Sequence, residues 1–197
     1  MPLELCPVAA NARRFPEQQA LSWAGRSIAW DALNNYVHST SRYLKEISVR
    51  SDDTVMVVAE RSPACVIVLL ALWRIGAVPC LLAPSVFAEN MEAVIASLKP
   101  AMIVGPRNLR KTFGRKGQGV RSADIEQVVA YGYNDSFLGS EAALDPKIDD
   151  GHPALVRLEF AGGEARAARL THQELHQDPG ELAELFAAFK AGTTYNI

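Results

Sequence analysis

Hydrophobic and polar residues follow two distinct patterns along the first half of the chain. Over residues 31–47, apolar side chains recur every three or four positions, which predicts a helix with one buried face. Residues 54–59, 77–82 and 101–104 are instead short, nearly continuous apolar runs, typical of strands that are buried on both faces. This alternation of strands and helices predicts a parallel α/β unit.

The helices that join these strands carry clear end signals. Ser62 is a good N-cap, Pro63 suits the first helical position, and Gly76 stands where the helix should end. The residues between them are apolar almost all round, which predicts a core helix, and residues 88–98 predict the next one. We expect the α/β fold class, with a parallel sheet of five or six strands, helices on both faces and a less regular C-terminal part.

Two smaller elements precede this unit. Residues 8–15 predict a short helix that ends before Pro16. Residues 20–23 and 27–30 flank Gly25, which predicts a β-hairpin with that glycine in its turn.

The residue composition of the chain changes after Gly105. Residues 107–121 carry six basic side chains and no acidic one, interspersed with glycines, which predicts an exposed, mobile connector. Residues 124–150 are rich in acidic side chains, and residues 127–131 predict one strand among them. Further on, residues 154–160 and 165–170 predict two strands that pair across a glycine turn, and residues 181–190 predict a last helix with its apolar residues on one face.

We therefore divide the chain into three regions. Residues 1–105 form the α/β core, residues 106–153 form a basic and then acidic connector, and residues 154–197 form the hairpin and the C-terminal helix.

Composition narrows the range of partners and compartments. The formal net charge is −2 and the pI is 6.1, which gives no general drive toward nucleic acid or anionic membrane. The longest apolar stretch, residues 64–73, is far shorter than the ~20 residues of a membrane span. Three separated cysteines without a CxxC pair (Cys6, Cys65 and Cys80) favour a reducing compartment. With no signal-peptide core at the start, we expect a cytoplasmic protein.

A family pattern links several of these elements. The residues that match this pattern are Cys6-Pro7, Arg14-Phe15-Pro16, the run Gly25-Arg26-Ser27-Ile28-Ala29-Trp30-Asp31-Ala32-Leu33, the run Ser51-Asp52-Asp53-Thr54-Val55, Ser62-Pro63, and the run from Leu69 to Val78, which includes Ala71, Arg74, Gly76 and Ala77. Together they resemble the N-terminal portion of the AMP-binding superfamily of adenylate-forming acyl-CoA ligases, luciferases and peptide-synthetase adenylation domains. The opening Cys-Pro is similar to the O-succinylbenzoate-CoA ligase branch.

The resemblance implies a phosphate-binding loop of the form TSGTTGxPKG, followed by a Thr-His pair. In this sequence the pair is Thr171-His172, and counting back places Gly162 and Gly163 on the loop and Arg166 on its lysine. These five residues are the candidate cofactor-binding positions that the resemblance implies.

The rest of that loop differs from the family pattern. Residues 158–162 replace the Thr-Ser-Gly-Thr-Thr run, and Glu159 and Glu164 would place negative charge beside a polyphosphate. A phosphate cradle needs free backbone N–H groups, hydroxyls and a cation. The phosphate-loop motif is therefore degenerate.

Further family segments have no match before Ile197: an acid for the ribose, an aromatic-Gly-x-Thr-Glu segment and a C-terminal lysine. The family uses ATP, magnesium and CoA, but we expect no cofactor for this chain alone and assign no catalytic residue. The primary hypothesis is a truncated or degenerate acyl-CoA ligase homologue without adenylation activity of its own, acting as a partner or scaffold subunit. It should associate with itself or with a protein partner, because an isolated subdomain exposes apolar surface.

Two alternatives stay open. The chain is the N-terminal fragment of a genuine carboxylic acid-CoA ligase completed by absent domains, or it is a non-enzymatic module that binds a small molecule or a polyanion at the carboxyl edge of its sheet.

One constellation suggests a metal. His172 and His176 are four residues apart, and Asp178 or His152 could add a ligand for zinc. A solvated helix start explains the same residues more simply, so no metal site is predicted. The basic run contains one aromatic residue, Phe113, which favours a solvated loop over a nucleic-acid site.

Overall fold

The computed structural model describes residues 7–59, 62–109, 119–132 and 148–178. The helices are α1 Pro7–Arg14, α2 Trp30–Glu46, α3 Pro63–Arg74, α4 Pro84–Leu98, α5 Ile125–Gly132 and α6 His172–Gln177. The strands are β1 Gln19–Trp23, β2 Arg26–Ala29, β3 Thr54–Val58, β4 Val78–Leu82, β5 Met102–Gly105, β6 Ser122–Asp124, β7 Pro153–Ala161 and β8 Glu164–Thr171.

A four-stranded parallel sheet, in the order β4-β3-β5-β6, forms the centre of the fold. Thr54 pairs with Val78 on one side of β3, and Val55 pairs with Met102 on the other. The first strand of this sheet, β3, is thus an inner strand, with β4 on one side and β5 and then β6 on the other. This arrangement is that of a doubly wound α/β sheet.

Alternate residues of β3 face opposite layers of the fold. Val55 and Val57 pack with α2, α3 and α5, whereas Met56 and Val58 pack against α4. Because successive side chains of a strand point to opposite faces, a strand covered on both sides is mostly apolar, as β3 is from Val55 to Val58, with all five of its residues buried. The predicted α/β class with helices on both faces is confirmed.

The ends of α3 agree with the predicted signals. The Ser62 hydroxyl accepts a hydrogen bond from the Cys65 amide at 3.1 Å, and Pro63 is the first helical residue. Gly76 adopts a left-handed φ of 72° just beyond the helix. The helix is less enclosed than expected, however, because Val66 and Leu70 are only half-buried.

Three sequence predictions are wrong in detail. Within the described residues the parallel sheet has four strands rather than five or six, since β7 and β8 form a separate antiparallel pair. The strand expected at residues 127–131 belongs to helix α5, in which Ile125 and Val128, three residues apart, are both buried. Helix α4 begins at Pro84 rather than at residue 88, because proline is well suited to a first helical position.

Arg121, the last residue of the basic run, is anchored to the fold. The Arg121 guanidinium donates hydrogen bonds to the carbonyl oxygens of Ile47 at 2.8 Å, Ser48 at 3.2 Å and Ala101 at 3.3 Å. These contacts satisfy carbonyl groups just beyond the end of α2, which a helix leaves without internal partners. Arg121 is exposed, as expected of the connector, but it is held in place.

Some predictions fall outside the described residues. They are the helix at residues 181–190, the basic side chains at positions 110, 111, 115 and 116, and Cys6. Among the residues that are described, no helix has both the length and the apolar character needed to cross a membrane.

Candidate functional site

The segment that the sequence resemblance assigns to the phosphate loop folds as a tight β-hairpin. Strands β7 and β8 pair continuously from Leu155 with Leu170 up to Ala161 with Glu164. Only Gly162 and Gly163 connect them, with φ angles of 60° and 82°. Two central residues of positive φ make the type I′ turn that suits the twist of an antiparallel pair, and this geometry favours glycine. The two glycines are therefore explained by the turn.

The structure separates the predicted cofactor-binding residues. Gly162 and Gly163 lie at the tip of the hairpin, and Arg166 is exposed on β8 opposite Glu159. Thr171 and His172 lie at the base, about 25 Å from the turn at the rise of an extended strand. The hairpin does not bring these five residues together around one ligand.

The hairpin also lacks the groups that a polyphosphate would need. The strands use their backbone groups in pairing as far as Ala161 and Glu164, so no loop remains whose N–H groups could surround phosphate oxygens. The carboxylates of Glu159 and Glu164 are exposed beside the turn. The residues present do not fit the triphosphate of ATP at this position.

Thr171 has a local structural role instead. Its hydroxyl accepts a hydrogen bond from the Glu174 amide at 3.2 Å, and the Glu174 carboxylate accepts one from the Thr171 amide at 2.7 Å. This reciprocal pair is a capping box, which satisfies amide groups at the start of a helix. The Glu174 carboxylate accepts hydrogen bonds from both the Thr171 amide and, at 2.9 Å, the Thr171 hydroxyl, and these two bonds lower the pKa of Glu174. The threonine of the predicted Thr-His pair thus begins helix α6.

The base of the hairpin is fixed to the amino edge of the parallel sheet. The Trp73 indole N–H donates to the Ala154 carbonyl oxygen at 2.6 Å, and the Arg169 guanidinium donates to the Thr54 hydroxyl at 3.3 Å. The Nε2 atom of His152 lies 2.9 Å from the Gly76 carbonyl oxygen.

His172 lies within this base. Its ring stacks on His152 with 6.3 Å between centroids and meets the Trp73 ring edge-on at 6.1 Å. Burial first, and then the neighbouring His152 and His176, lower the pKa of His172 below its usual value, with Asp150 opposing them. The described residues contain no group of three or more His, Cys, Asp or Glu side chains able to hold a metal ion.

A cleft opens at the opposite, carboxyl edge of the sheet. It has a volume of about 860 Å³ and lies where β3, β4, β5 and β6 end. Ligands of doubly wound sheets bind at this edge, near the point where the strand order reverses, which here is between β3 and β5. The lining residues are Ala59, Ser62, Pro84, Phe87, Pro106, Arg107, Asn108, Leu109, Asp124, Ile125, Glu126, Gln127 and Ala130.

Acidic side chains contribute to the wall of this cleft. The Asp124 carboxylate is 12% exposed, accepts a hydrogen bond from the Glu126 amide at 3.0 Å and forms an ion pair with Arg107 at 3.4 Å. The Glu126 side chain is exposed at the start of α5. Two carboxylates and one guanidinium favour a neutral ligand over a polyanion.

The two described cysteines are poor nucleophiles while they are buried in the folded protein. Burial raises the pKa of both Cys65 and Cys80 to about 12, so neither forms a thiolate readily near neutral pH. Both are enclosed in the apolar core, as small hydrophobic residues often are.

The family profile described as AMP-binding enzyme matches residues 8–150, well over half of the chain. The chain therefore belongs to the AMP-binding enzyme family.

Comparison with curated proteins gives distant relatives among large synthetases. Malpinin synthetase of Mortierella alpina is 26% identical over 101 residues, covering 51% of this chain and 1% of that protein. Polyketide synthase PksN of Bacillus subtilis is 22% identical over 167 residues, covering 84% of this chain and 3% of that protein. These comparisons give no support to the O-succinylbenzoate-CoA ligase branch.

Solved structures show the same fold. The N-terminal subdomain of NpsA from Klebsiella oxytoca matches with a TM-score of 0.72 at 19% identity, over 84% of this chain and 41% of that chain. The complex of VinN with 3-methylaspartate matches with a TM-score of 0.74 at 19% identity, over 92% of this chain and 48% of that chain. The chain spans less than half the length of these solved chains, and its fold is that of the N-terminal subdomain of adenylate-forming enzymes.

Proposed function

We propose that this protein is an adenylate-forming family scaffold that does not activate a carboxylic acid by itself and acts through association with a protein. The observation that carries the proposal is the tight hairpin at the phosphate-loop position. Adenylate formation depends on groups arranged in advance around the charge that develops on the phosphate. A two-residue turn between paired strands, with two glutamates beside it, supplies no such arrangement.

ATP–pyrophosphate exchange tests this proposal directly. The purified chain, supplied with ATP, magnesium and mixtures of amino acids, aryl acids and fatty acids, should give no acid-dependent exchange above a mock preparation. Exchange that survives repurification and falls in an Arg166→Ala variant would contradict the proposal. Arg26→Ala, an exposed change in the β1–β2 hairpin, is the matched control.

A second candidate function is the first part of a genuine ligase. It is favoured by the coverage of the structural matches, which take in most of this chain but less than half of the solved chains. In that case the chain should gain exchange activity when polypeptides carrying the remaining family segments are added. No gain, with the mixed polypeptides shown to associate, would argue for the scaffold.

Association has a defined starting point on the hairpin. Phe160 is 38% exposed near the hairpin tip and is the large hydrophobic side chain left exposed among the described residues. A partner or a second copy would bury it. Light scattering at increasing concentration should show assembly that weakens in Phe160→Ser but not in Ala167→Ser. A monomer at every concentration, with no partner recovered by crosslinking, would count against association.

A third candidate is a small-molecule module that uses the cleft at the carboxyl edge. Its size lies within the range of about 300–1,000 Å³ for small-molecule sites. Ligand-detected NMR with a mixture of neutral heterocyclic fragments should reveal binding that Gln127→Trp abolishes, because Gln127 lines the cleft. Gln173→Trp, on exposed α6, is the control. Fragments that bind both variants equally would exclude the cleft.

A further inference from the structure

Two histidines join the hairpin to the rest of the fold at its base. His152 precedes β7 and His172 follows β8, so the two imidazoles stand at the two ends of the same hairpin. Their rings are stacked at 6.3 Å with an interplanar angle of 24°. The His172 amide also donates a hydrogen bond to the His152 carbonyl oxygen at 3.1 Å.

The pair also contacts elements outside the hairpin. The Nε2 atom of His152 is 2.9 Å from the carbonyl oxygen of Gly76, in the connection between α3 and β4, which fits an N–H donor at Nε2. His172 meets the edge of Trp73 on α3. The stacked rings therefore close the hairpin on the α3–β4 connection.

The charged groups near His152 differ from those near His172. Asp52 lies 4.0 Å from Nδ1 of His152, so a charged His152 has a carboxylate beside it. The neighbours of His172 are His152, His176 and, more weakly, Asp150. His172 is also the first residue of α6, where the amide groups of a helix start disfavour a positive charge. A proton on His172 is thus poorly accommodated in the closed hairpin.

The direction of the pH effect follows from these surroundings. Burial and the two neighbouring histidines hold the pKa of His172 below its usual value of 6.5. A released hairpin, with a solvated His172, binds more protons than the closed one at mildly acidic pH. The closed form has its full stability above pH 6.5 and becomes less stable, relative to the released form, as the pH falls below that value.

We propose that the stacked pair His152–His172 is a proton-sensitive latch that holds the β7–β8 hairpin on the sheet at neutral pH and releases it in mild acid. The hairpin covers the edge of the sheet, where Val156 packs on Val78 and Cys80. Release exposes this edge strand and its thiol while the α2–α3 side of the core stays closed.

The two buried cysteines give an internal readout. Cys80 lies under the hairpin, whereas Cys65 lies on the opposite side of the sheet with α2 and α5. A short pulse of 4,4′-dithiodipyridine at pH 7.5 and at pH 5.5, followed by peptide mass spectrometry, measures both thiols in one molecule. The ratio of Cys80 to Cys65 labelling cancels the pH dependence of the reagent.

The wild-type ratio should rise several-fold between pH 7.5 and pH 5.5. His172→Phe keeps an aromatic ring against Trp73 but cannot titrate, so its ratio should be the same at both pH values. Gln177→Ala, an exposed change at the end of α6 that is not among the groups shifting the pKa of His172, should retain the wild-type response.

Three results would overturn the latch. They are a wild-type ratio that does not change with pH, a His172→Phe variant that responds like the wild type, and equal labelling of both thiols in acid, which indicates global unfolding. If His172→Phe does not fold, amide exchange of the wild-type protein decides the matter. A rise in the exchange of β7 and β8 relative to β3 between pH 7.5 and pH 5.5, after correction for intrinsic rates, supports the latch, and an unchanged ratio refutes it.

Discussion

The parallel sheet and the β7–β8 hairpin are both β structure, but burial is distributed differently in the two. Every residue of β3 and β4 is buried. Along β7, by contrast, exposure rises from 1% at Leu155 to 38% at Phe160. The sheet is enclosed over its whole length, whereas the hairpin is enclosed at its base and open at its tip.

The two regions therefore differ in what stabilises them. Burial of apolar surface is the dominant favourable contribution to folding, so the sheet and α3 carry most of the stability. The hairpin has a smaller apolar contact at its base, where Val156 packs on Val78 and Cys80, together with a few directed contacts, among them Trp73 with Ala154. It is the region that the proposed latch would release, and it contains the segment that the resemblance assigns to the phosphate loop.

The most direct test of how the sheet and its helices are stabilised is the variant Leu72→Ala. Leu72 is fully buried in α3, so its truncation should lower the free energy of unfolding by about 2–5 kcal/mol. Leu70→Ala, two residues earlier in the same helix but half-buried, is the matched control and should cost clearly less. Urea denaturation gives both values, and equal midpoints would mean that α3 has no buried side.

A smaller loss is expected for Gly105→Ala at the end of β5. A Cβ atom there would lie 2.6 Å from Leu109 Cδ2 and 2.8 Å from the Val58 carbonyl oxygen. The side chain can shift but the backbone of β3 cannot move freely, so about 1–3 kcal/mol of stability should be lost. Gly151→Ala, whose nearest neighbour is 3.5 Å away, is the control. If both variants show the wild-type melting temperature, β3 and β5 are not so closely packed.

Much of the sheet side could be predicted from the sequence. Strands β3, β4 and β5 are apolar runs, and the ends of α3 are marked by Ser62, Pro63 and Gly76. The sequence predicts a strand at residues 127–131 because Val128, Val129 and Tyr131 favour β structure, but Val128 and Val129 lie in helix α5 with Ile125. Their burial on one side of a helix depends on contact with α2 and α3, which the local sequence does not specify.

The candidate site was less predictable. The sequence correctly indicated a hairpin turn at Gly162-Gly163, but the motif alignment alone suggested that Thr171 and His172 belong to a ligand site. The contacts of His172 with His152 and Trp73 join residues 20 and 99 positions apart in the chain. The cleft residues Arg107 and Asp124 are likewise brought together by the pairing of β5 with β6. No local sequence motif predicts such contacts.

The smallest predicted effect concerns the hairpin base. Trp73→Phe keeps a ring against His172 but removes the indole N–H that donates to the Ala154 carbonyl oxygen at 2.6 Å. Because Ala154 is fully buried, its carbonyl loses a partner that water cannot easily replace, and local opening should become easier by about 1 kcal/mol. Amide exchange at pH 7.5 should therefore quicken in β7 and β8 while β3 and β4 keep their protection. The exposed variant Arg166→Ala should leave both regions unchanged. Equal acceleration in the sheet and the hairpin would show that the two regions open together, and the contrast between them would then be one of exposure and not of stability.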